Sequence, residues 1–400
     1  MKHGVIRILA AASVCAAAGL AGGRADASPA SRARTQDAYA LAYDLRFAEC
    51  YDALEQAAKA DPLDPAPRRA IAAVTWIEIL FAQGVATFEA FTGELSKKDV
   101  VRPATPPLLA SRFRDAIAQA KALADQQLAR ADSSDAHYQM GTTAAVAALY
   151  RATVEGRTLG AFSEGRRAVA AMERARGRDA GKRETALILG MSQYAVSTMA
   201  WPARMMARLS GLSGDRAAGL ALLKEAAMPG TETESDALLL LMIVDHREGR
   251  PADALERLKQ LQRLHPRNRL LWLNQGASAL AAHQPADAER ALSQGIMGKD
   301  WEAEPAVLGE SAMWFAHRGA ARAQLHRSAE AAADLQQGLA LNPRDWVRGR
   351  IHRELGDLAL SAGDRNEAKR QFEEALSFSE RGGDAVAVAE TRRKLSAVKR

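Results

Sequence analysis

Cysteine is nearly missing from this chain: two in 400 residues, Cys15 and Cys50. With Cys15 inside a removable N-terminal segment, Cys50 stands alone, no intrachain disulfide can form, and stability has to come from packing. Aromatic side chains supply only 5% of the residues, which argues against sheets built on β-branched and aromatic side chains. Gly 29 and Pro 14 are too few for a collagenous or low-complexity protein. No run of five like charges occurs and the net charge is +6, so the footprint of a nucleic-acid-binding surface is lacking. Catalytic signatures are missing too. There is no H-E-x-x-H, G-x-G-x-x-G or P-loop, and in Gly211-Leu-Ser213-Gly214 the second glycine follows the serine directly, unlike a nucleophile elbow. The histidine pairs His246 with His265 and His317 with His326 have no further ligands at metal spacing. The chain therefore reads as a non-enzyme with no metal and no cofactor.

What it has in abundance is alanine, 87 of 400, the residue with the highest helix propensity. The hydrophobic share of 48% and charged share of 26% fit a folded, all-α protein. At the N-terminus a basic start (Lys2, Arg7), an apolar run from Ile8 to Leu20 and the A-x-A pattern Ala25-Asp26-Ala27 predict a signal peptide, residues 1–27, cleaved after Ala27. Val14 and Ala12 are poor matches to a lipoprotein signal at Cys15, and the run is too short to span a bilayer, which takes about 20 residues. The expectation is export across an inner membrane to the periplasm, with a mature net charge of +4.

Internal self-similarity carries the fold. Small residues at Gly219, Ala254, Ala288, Ala331 and Ala368 are each followed four positions later by a large apolar residue (Leu223, Leu258, Leu292, Leu335, Phe372). After three more positions comes Ala226, Leu261, Gly295, Gly338 or Ala375. The steps between small residues are 35, 34, 43 and 37, and a period near 34 is that of a helix–turn–helix repeat. The pattern needs no chemistry beyond sterics: a small side chain lets two antiparallel helices approach, a large one fills the next layer, and proline (Pro266, Pro343) stops the helix. Trp272 and Gly276, Gly319, and Leu355-Gly356 stand about twelve residues before the small positions 288, 331 and 368, on the preceding helix.

On these residues the sequence resembles the tetratricopeptide repeat (TPR) family, most closely over 235–382, although Asp245, Ala279, Arg322 and Ala359 occupy the usual tyrosine position of the first helix. The resemblance implies an α-solenoid of antiparallel helix hairpins, a TPR superhelix. A second resemblance, to the tetratricopeptide repeat protein 39 family, covers Trp201 to Leu223, where a helix runs through Gly211-Leu-Ser-Gly214-Asp215-Arg216 into a Gly-Leu helix. It implies a helical, non-enzymatic protein linked with organelle surfaces and lipid handling.

Upstream, Phe47-Ala-Glu-Cys50-Tyr-Asp-Ala-Leu54-Glu-Gln-Ala57 followed by Pro62 repeats the second-helix pattern with Cys50 as the small residue, hence a packed core thiol. Long helices are expected near 66–96, 109–131, 134–156, 161–178 and 183–208, the first two separated by Pro103, Pro106 and Pro107. The organisation read from the sequence is an N-terminal region of enlarged irregular hairpins (28–234), TPR repeats (235–382) and a C-terminal capping helix (383–400). A loop at 298–305 would absorb the long step of 43, with Trp301 as a lid.

The function so implied is that of a scaffold or adaptor binding a protein or peptide partner, with no nucleic acid. Trp76, Tyr138, Tyr150, Tyr194, Asn274 and Arg353 fall on first-helix positions and are candidates to face a binding groove, although aromatics at this spacing also read as core. Leu270, Leu273, Ala277, Met313, Ala316 and Ala320 stand where some TPR proteins place a carboxylate clamp, which predicts an apolar groove. Trp201 and Met205, with Met206, Leu209 and two arginines, form a possible lipid or membrane-surface contact. The alternative function is a carrier of an apolar small molecule or lipid in a pocket formed by the long helices of 66–210.

Overall fold

The computed structural model describes residues 29–85, 103–298 and 307–398, with side chains from residue 34 onward. The predicted signal peptide and Trp301 lie outside the described residues. Among the described residues the chain is helical with no strand. In chain order the helices are α1 (Pro29–Tyr43), α2 (Phe47–Ala60), α3 (Pro65–Ala82), α4 (Pro107–Arg130), α5 (Ser134–Thr153) and α6 (Thr158–Arg178). Next come α7 (Thr185–Ser197), α8 (Trp201–Leu209), α9 (Arg216–Ala226), α10 (Glu234–Arg247), α11 (Pro251–Leu264) and α12 (Arg269–Ala281). The last six are α13 (Pro285–Gly298), α14 (Glu310–Gln324), α15 (Ser328–Ala340), α16 (Asp345–Ser361), α17 (Arg365–Arg381) and α18 (Ala385–Val398).

Helix starts follow sequence rules. Pro65, Pro107, Pro251 and Pro285 occupy the first helical position, where the missing N–H is no loss. Ser133, Asp215, Asn268 and Asp364 cap their helices by accepting from Ala136, Ala218, Leu270 and Glu367 backbone N–H groups at 2.9–3.1 Å.

One corner geometry recurs. Leu45, Gly249, His283, His326 and Gly363 all adopt positive φ, between 57° and 84°. At each, the following N–H reaches back to the carbonyl five residues before it, as in Arg250 to Asp245 (2.8 Å), Gln284 to Ala279 (2.9 Å) and Arg327 to Arg322 (2.9 Å). Five residues past each corner stand Cys50, Ala254, Ala288, Ala331 and Ala368, all completely buried. So are Leu54, Leu258, Leu292, Leu335 and Phe372, four further on. A turn of fixed geometry thus sets the phase of the helix that follows each of these five corners.

The facing helix answers in register. A Cβ placed on Gly276, Gly319 or Gly356 would lie within 3.0 Å of Leu292, Leu335 or Phe372, always sixteen residues later. Three hairpins therefore share one interdigitation, glycine against the large residue, which is what the sequence spacing required. This register gives the all-α chain a run of tetratricopeptide-type hairpins.

The chain forms two compact units. One takes in residues up to Leu80, Thr105–Val244 and Arg263–Arg267; the other takes in Phe81–Ala104, Asp245–Gln262 and Asn268–Arg400. In the first unit, α5 pairs with α6 and α7 with α9. Their core is built from Tyr138, Met172 and Ile188, and from Met191, Tyr194, Leu223 and Leu241. In the second, the hairpins α12/α13, α14/α15 and α16/α17 follow one another, and α18 packs on α17.

Two helix boundaries differ from the sequence expectation. The helix expected over 183–208 is two helices: Thr198–Ala200 interrupt it and Pro202 opens α8, since a proline cannot continue an α-helix. The helix expected over 66–96 ends at Ala82, where Gly84 turns with φ 61°; residues 86–102 lie outside the described residues.

Candidate functional site

The second unit carries a cavity of about 210 Å³ on the exposed side of α12, α14 and α16, the first helices of three successive hairpins. Its floor is apolar, with Ala277 and Ala281 from α12, Met313 and Ala316 from α14, and Val347 and Ile351 from α16. Of the positions where the sequence predicted an apolar surface in place of a carboxylate clamp, Ala277, Met313, Ala316 and Ala320 line it and Leu270 and Leu273 do not. Small side chains on α12 and α14 open the space, because an alanine leaves room where a larger residue would fill it.

The cavity wall is more polar than that expectation. His317, Gln324, Arg350, Arg353 and Glu354 also line it. The two guanidinium groups are not free. Arg350 Nε donates to Asp384 Oδ2 at 2.7 Å, with its guanidinium 5.2 Å from the Trp346 ring centre. Arg353 is bonded to Glu390 Oε2 at 2.6 Å and to Glu354 Oε1 at 2.8 Å. Burial disfavours the charge of Arg353, but Glu354 and Glu390 outweigh it and hold its pKa above the ordinary value. One turn further, Lys394 Nζ lies 2.7 Å from Asp357 Oδ1. Glu390 and Lys394 come from α18 and Asp384 from the residue before it, so the capping helix supplies the counter-ions of this wall. Helix-to-helix spacing is set at the other end of α12 and α14 by a buried bidentate pair. Arg269 Nε and Nη2 donate to Glu310 Oε1 and Oε2 at 2.8 and 2.9 Å, and Trp314 Nε1 donates to the same carboxylate at 3.2 Å.

Of the residues singled out in the sequence, Arg353 lines this groove. Asn274 is half-buried on α12, one turn before Ala277 and on the same helical face. The four aromatics are buried side chains of the first unit. Trp76 donates its Nε1 to Thr153 Oγ1 at 2.8 Å, and Tyr150 stacks on Phe113 with ring centres 3.6 Å apart. Tyr194 packs among Leu223, Ala237 and Leu241, and Tyr138 lies beneath the Lys182 ammonium, 4.8 Å from its ring centre. Trp201 and Met205 stand exposed on α8.

Around Tyr138 the structure gathers polar groups that sequence reasoning missed. Lys182 Nζ pairs with Asp135 Oδ1 at 2.9 Å, and Gln127 Nε2 donates to Asp135 Oδ2 at 3.0 Å. Arg69 is wholly buried and donates to Gln139. Glu232 accepts from Gln36 Nε2 at 3.0 Å; burial first, and then the nearby charge of Glu184, push its carboxyl up to about 8. Tyr43 donates to Asp236, which joins α1 to α10. A signal for Arg69 existed: with Ala66, Ala73 and Trp76 it falls on one stripe of α3, at the three-and-four spacing of a buried face.

The first unit also has a cavity of about 220 Å³ between α4, α5 and α6, walled by Lys121, Asp125, Arg151, Glu164 and Arg167. An apolar cavity of about 60 Å³ lies between α5, α6 and α7, with Phe162, Val169, Met191 and Leu212 among its lining.

Among the described residues no group of three or more His, Cys, Asp or Glu could hold a metal ion, and no helix is long and apolar enough to cross a membrane.

No protein-family model and no curated protein matches the chain, so nothing stands beside the local resemblance of residues 201–223 to the tetratricopeptide repeat protein 39 family. Solved structures similar to it include the APC/C hetero-tetramer Cut9–Hcn1 (13% identity, 94% of this chain and 84% of that one, TM-score 0.34). Yeast Tom70 follows, at 11% identity over 91% of this chain and 88% of that one, TM-score 0.35. A human IFIT1 dimer with PPP-AAAA has 15% identity over 92% and 91%, TM-score 0.36. The shared register of the hairpins, rather than any of these likenesses, identifies the fold as that of tetratricopeptide repeats.

Proposed function

We propose that the protein is a non-catalytic scaffold or adaptor that binds a protein or peptide partner in the groove of α12, α14 and α16. The observation that carries the reading is the composition of that groove, an apolar floor of alanine, methionine, valine and isoleucine side chains beneath a wall whose arginines are already ion-paired. A site with its charges internally neutralised selects a large apolar side chain and the polar main chain around it, not a carboxylate or phosphate. Burying one such anchor contributes about 1.5–3 kcal/mol, so useful affinity needs contacts on several hairpins at once, and a row of first helices offers them. The carrier alternative has less support: of the two cavities among the long helices of 66–210, the apolar one is about 60 Å³, and the one of about 220 Å³ is walled by Lys121, Asp125, Arg151, Glu164 and Arg167.

We propose further that the protein acts after export, in the periplasm; Lys2, Arg7, the run Ile8–Leu20 and Ala25-Asp26-Ala27 support this reading. Photo-crosslinking in intact cells tests both. A photoreactive residue at His317 is expected to give one discrete adduct in the envelope fraction. The same group at Arg370, exposed on α17, is expected to give none, and Ala320→Trp, which fills the groove, should abolish the His317 adduct. Equal labelling from both positions, or an adduct indifferent to Ala320→Trp, refutes the groove. An adduct on a cytoplasmic protein refutes the location.

A further inference from the structure

Helix α8 is put together the wrong way round for a helix that serves the core. Its nine residues include Trp201, Met205, Met206 and Leu209, with 66%, 38%, 64% and 80% of their surface in solvent, while Ala207 is its single buried residue. At 100° per residue, Trp201, Met205, Leu209 and Met206 spread over about 140° of the helix. Ala207 lies on the opposite face, packed with Val196 and Leu212 and against Phe162, Val169 and Met199. The body is thus met by one methyl group, and the large apolar side chains point away from it. Nor does α8 serve the hairpin it interrupts. α7 and α9 pack directly on each other, Gly190 and Gly219 allowing their backbones to approach, so α8 is an excursion between two helices that are already paired.

The charge on this helix has one sign. From residue 185 to 214 there is no acidic residue, while Arg204 and Arg208 flank the apolar face on α8 itself. Leu159, likewise exposed, begins α6 one turn before Phe162, which packs beneath α8. An outward apolar face led by a tryptophan, on a helix that carries arginine and no carboxylate, complements the headgroup and upper acyl region of an anionic bilayer. With no described helix able to span a bilayer, the contact would be peripheral.

We propose that α8 is a membrane-surface foot, which seats Trp201, Met205, Met206 and Leu209 in the interface of an anionic lipid bilayer while Arg204 and Arg208 engage the headgroups. The site is separate from the groove, and the proposal does not rest on the adaptor reading. One short helix and two arginines give reversible binding that weakens as salt rises.

The test uses the full chain and vesicles of phosphatidylcholine with or without phosphatidylglycerol, the acyl chains brominated to quench tryptophan. The expected result is quenching by the anionic vesicles that is lost in Trp201→Phe, at least tenfold weaker on neutral vesicles, and reduced about tenfold or more by Met206→Glu with Leu209→Glu. Reading Trp201 alone separates α8 from any contact made by the apolar N-terminal run. Identical quenching in the wild type and Trp201→Phe, or equal quenching by neutral vesicles, would overturn the assignment. So would concentration-dependent dimerisation abolished by the two glutamates without vesicle binding, which would make the face a contact between copies of the chain.

Discussion

Replacing glycine by alanine within a helix ordinarily stabilises it by about 1 kcal/mol, since glycine loses more backbone freedom on folding. In this protein the same substitution should change sign with position. Gly177, near the end of α6, has nothing within 4 Å of where a Cβ would stand, so Gly177→Ala should stabilise by up to about 1 kcal/mol. At Gly319 the Cβ would lie 2.7 Å from Leu335 Cγ, 2.8 Å from Cδ2 and 3.2 Å from the Ala331 carbonyl oxygen. Leu335 is wholly buried and cannot swing into solvent. Overpacking of this kind costs about 1–3 kcal/mol, which cancels the propensity gain at its low end and exceeds it by about 2 kcal/mol at its high end. A double-mutant cycle isolates the collision. Leu335→Ala alone should cost about 2–5 kcal/mol, and in that background Gly319→Ala should become neutral or stabilising. Urea unfolding followed by circular dichroism measures all four corners. If Gly319→Ala stabilises as Gly177→Ala does, or if the cycle adds to within about 0.5 kcal/mol, the interdigitation inferred for the three hairpins is wrong.

The Arg269–Glu310 pair should behave as a unit. Arg269→Met, which strands a buried carboxylate, is expected to cost about 3–5 kcal/mol, and adding Glu310→Leu should recover most of it; thermal melts of the single and double variants decide. Glu232, held near 8 in the folded protein, keeps a proton that the unfolded chain releases near 4.5. Its contribution is complete below about pH 4.5 and is lost as pH rises through 8, so Glu232→Gln should raise stability at pH 9 and leave it unchanged at pH 4; equal effects at both pH values would refute the assignment. Burial pushes the Cys50 thiol up to about 12. Native protein should therefore react with a thiol reagent only on the timescale of unfolding, and immediate labelling at pH 8 would contradict the packed position.

The hairpins were legible because their pattern has a local steric cause: a corner, a small residue five positions on, a large one four beyond that. Cys50 could be placed in that series although it is not an alanine, since only size matters at the position. The break between α7 and α8 was also written in the chain, at Pro202, but the apolar content on either side suggested continuity. The groove was half legible. Ala277, Ala316 and Ala320 announced an apolar floor, whereas the ion pairs of Arg350 and Arg353 join residues about 34 to 37 positions apart, and no local spacing reports such partners. Tyr138 and Tyr194 show the same limit: an aromatic on a first helix is buried or displayed according to the hairpin next to it.

Asp384, Glu390 and Lys394 lie outside the groove, yet they govern its electrical character. Deleting the segment that bears them would remove one carboxylate partner from each of Arg350 and Arg353, while Glu354 stays paired with Arg353. The loss of two carboxylates and one ammonium would shift the local charge by one unit toward positive, with no change to the floor. The ion pairs along the groove wall therefore depend on the C-terminal end of the chain, where cleavage or modification of a single helix would rearrange them.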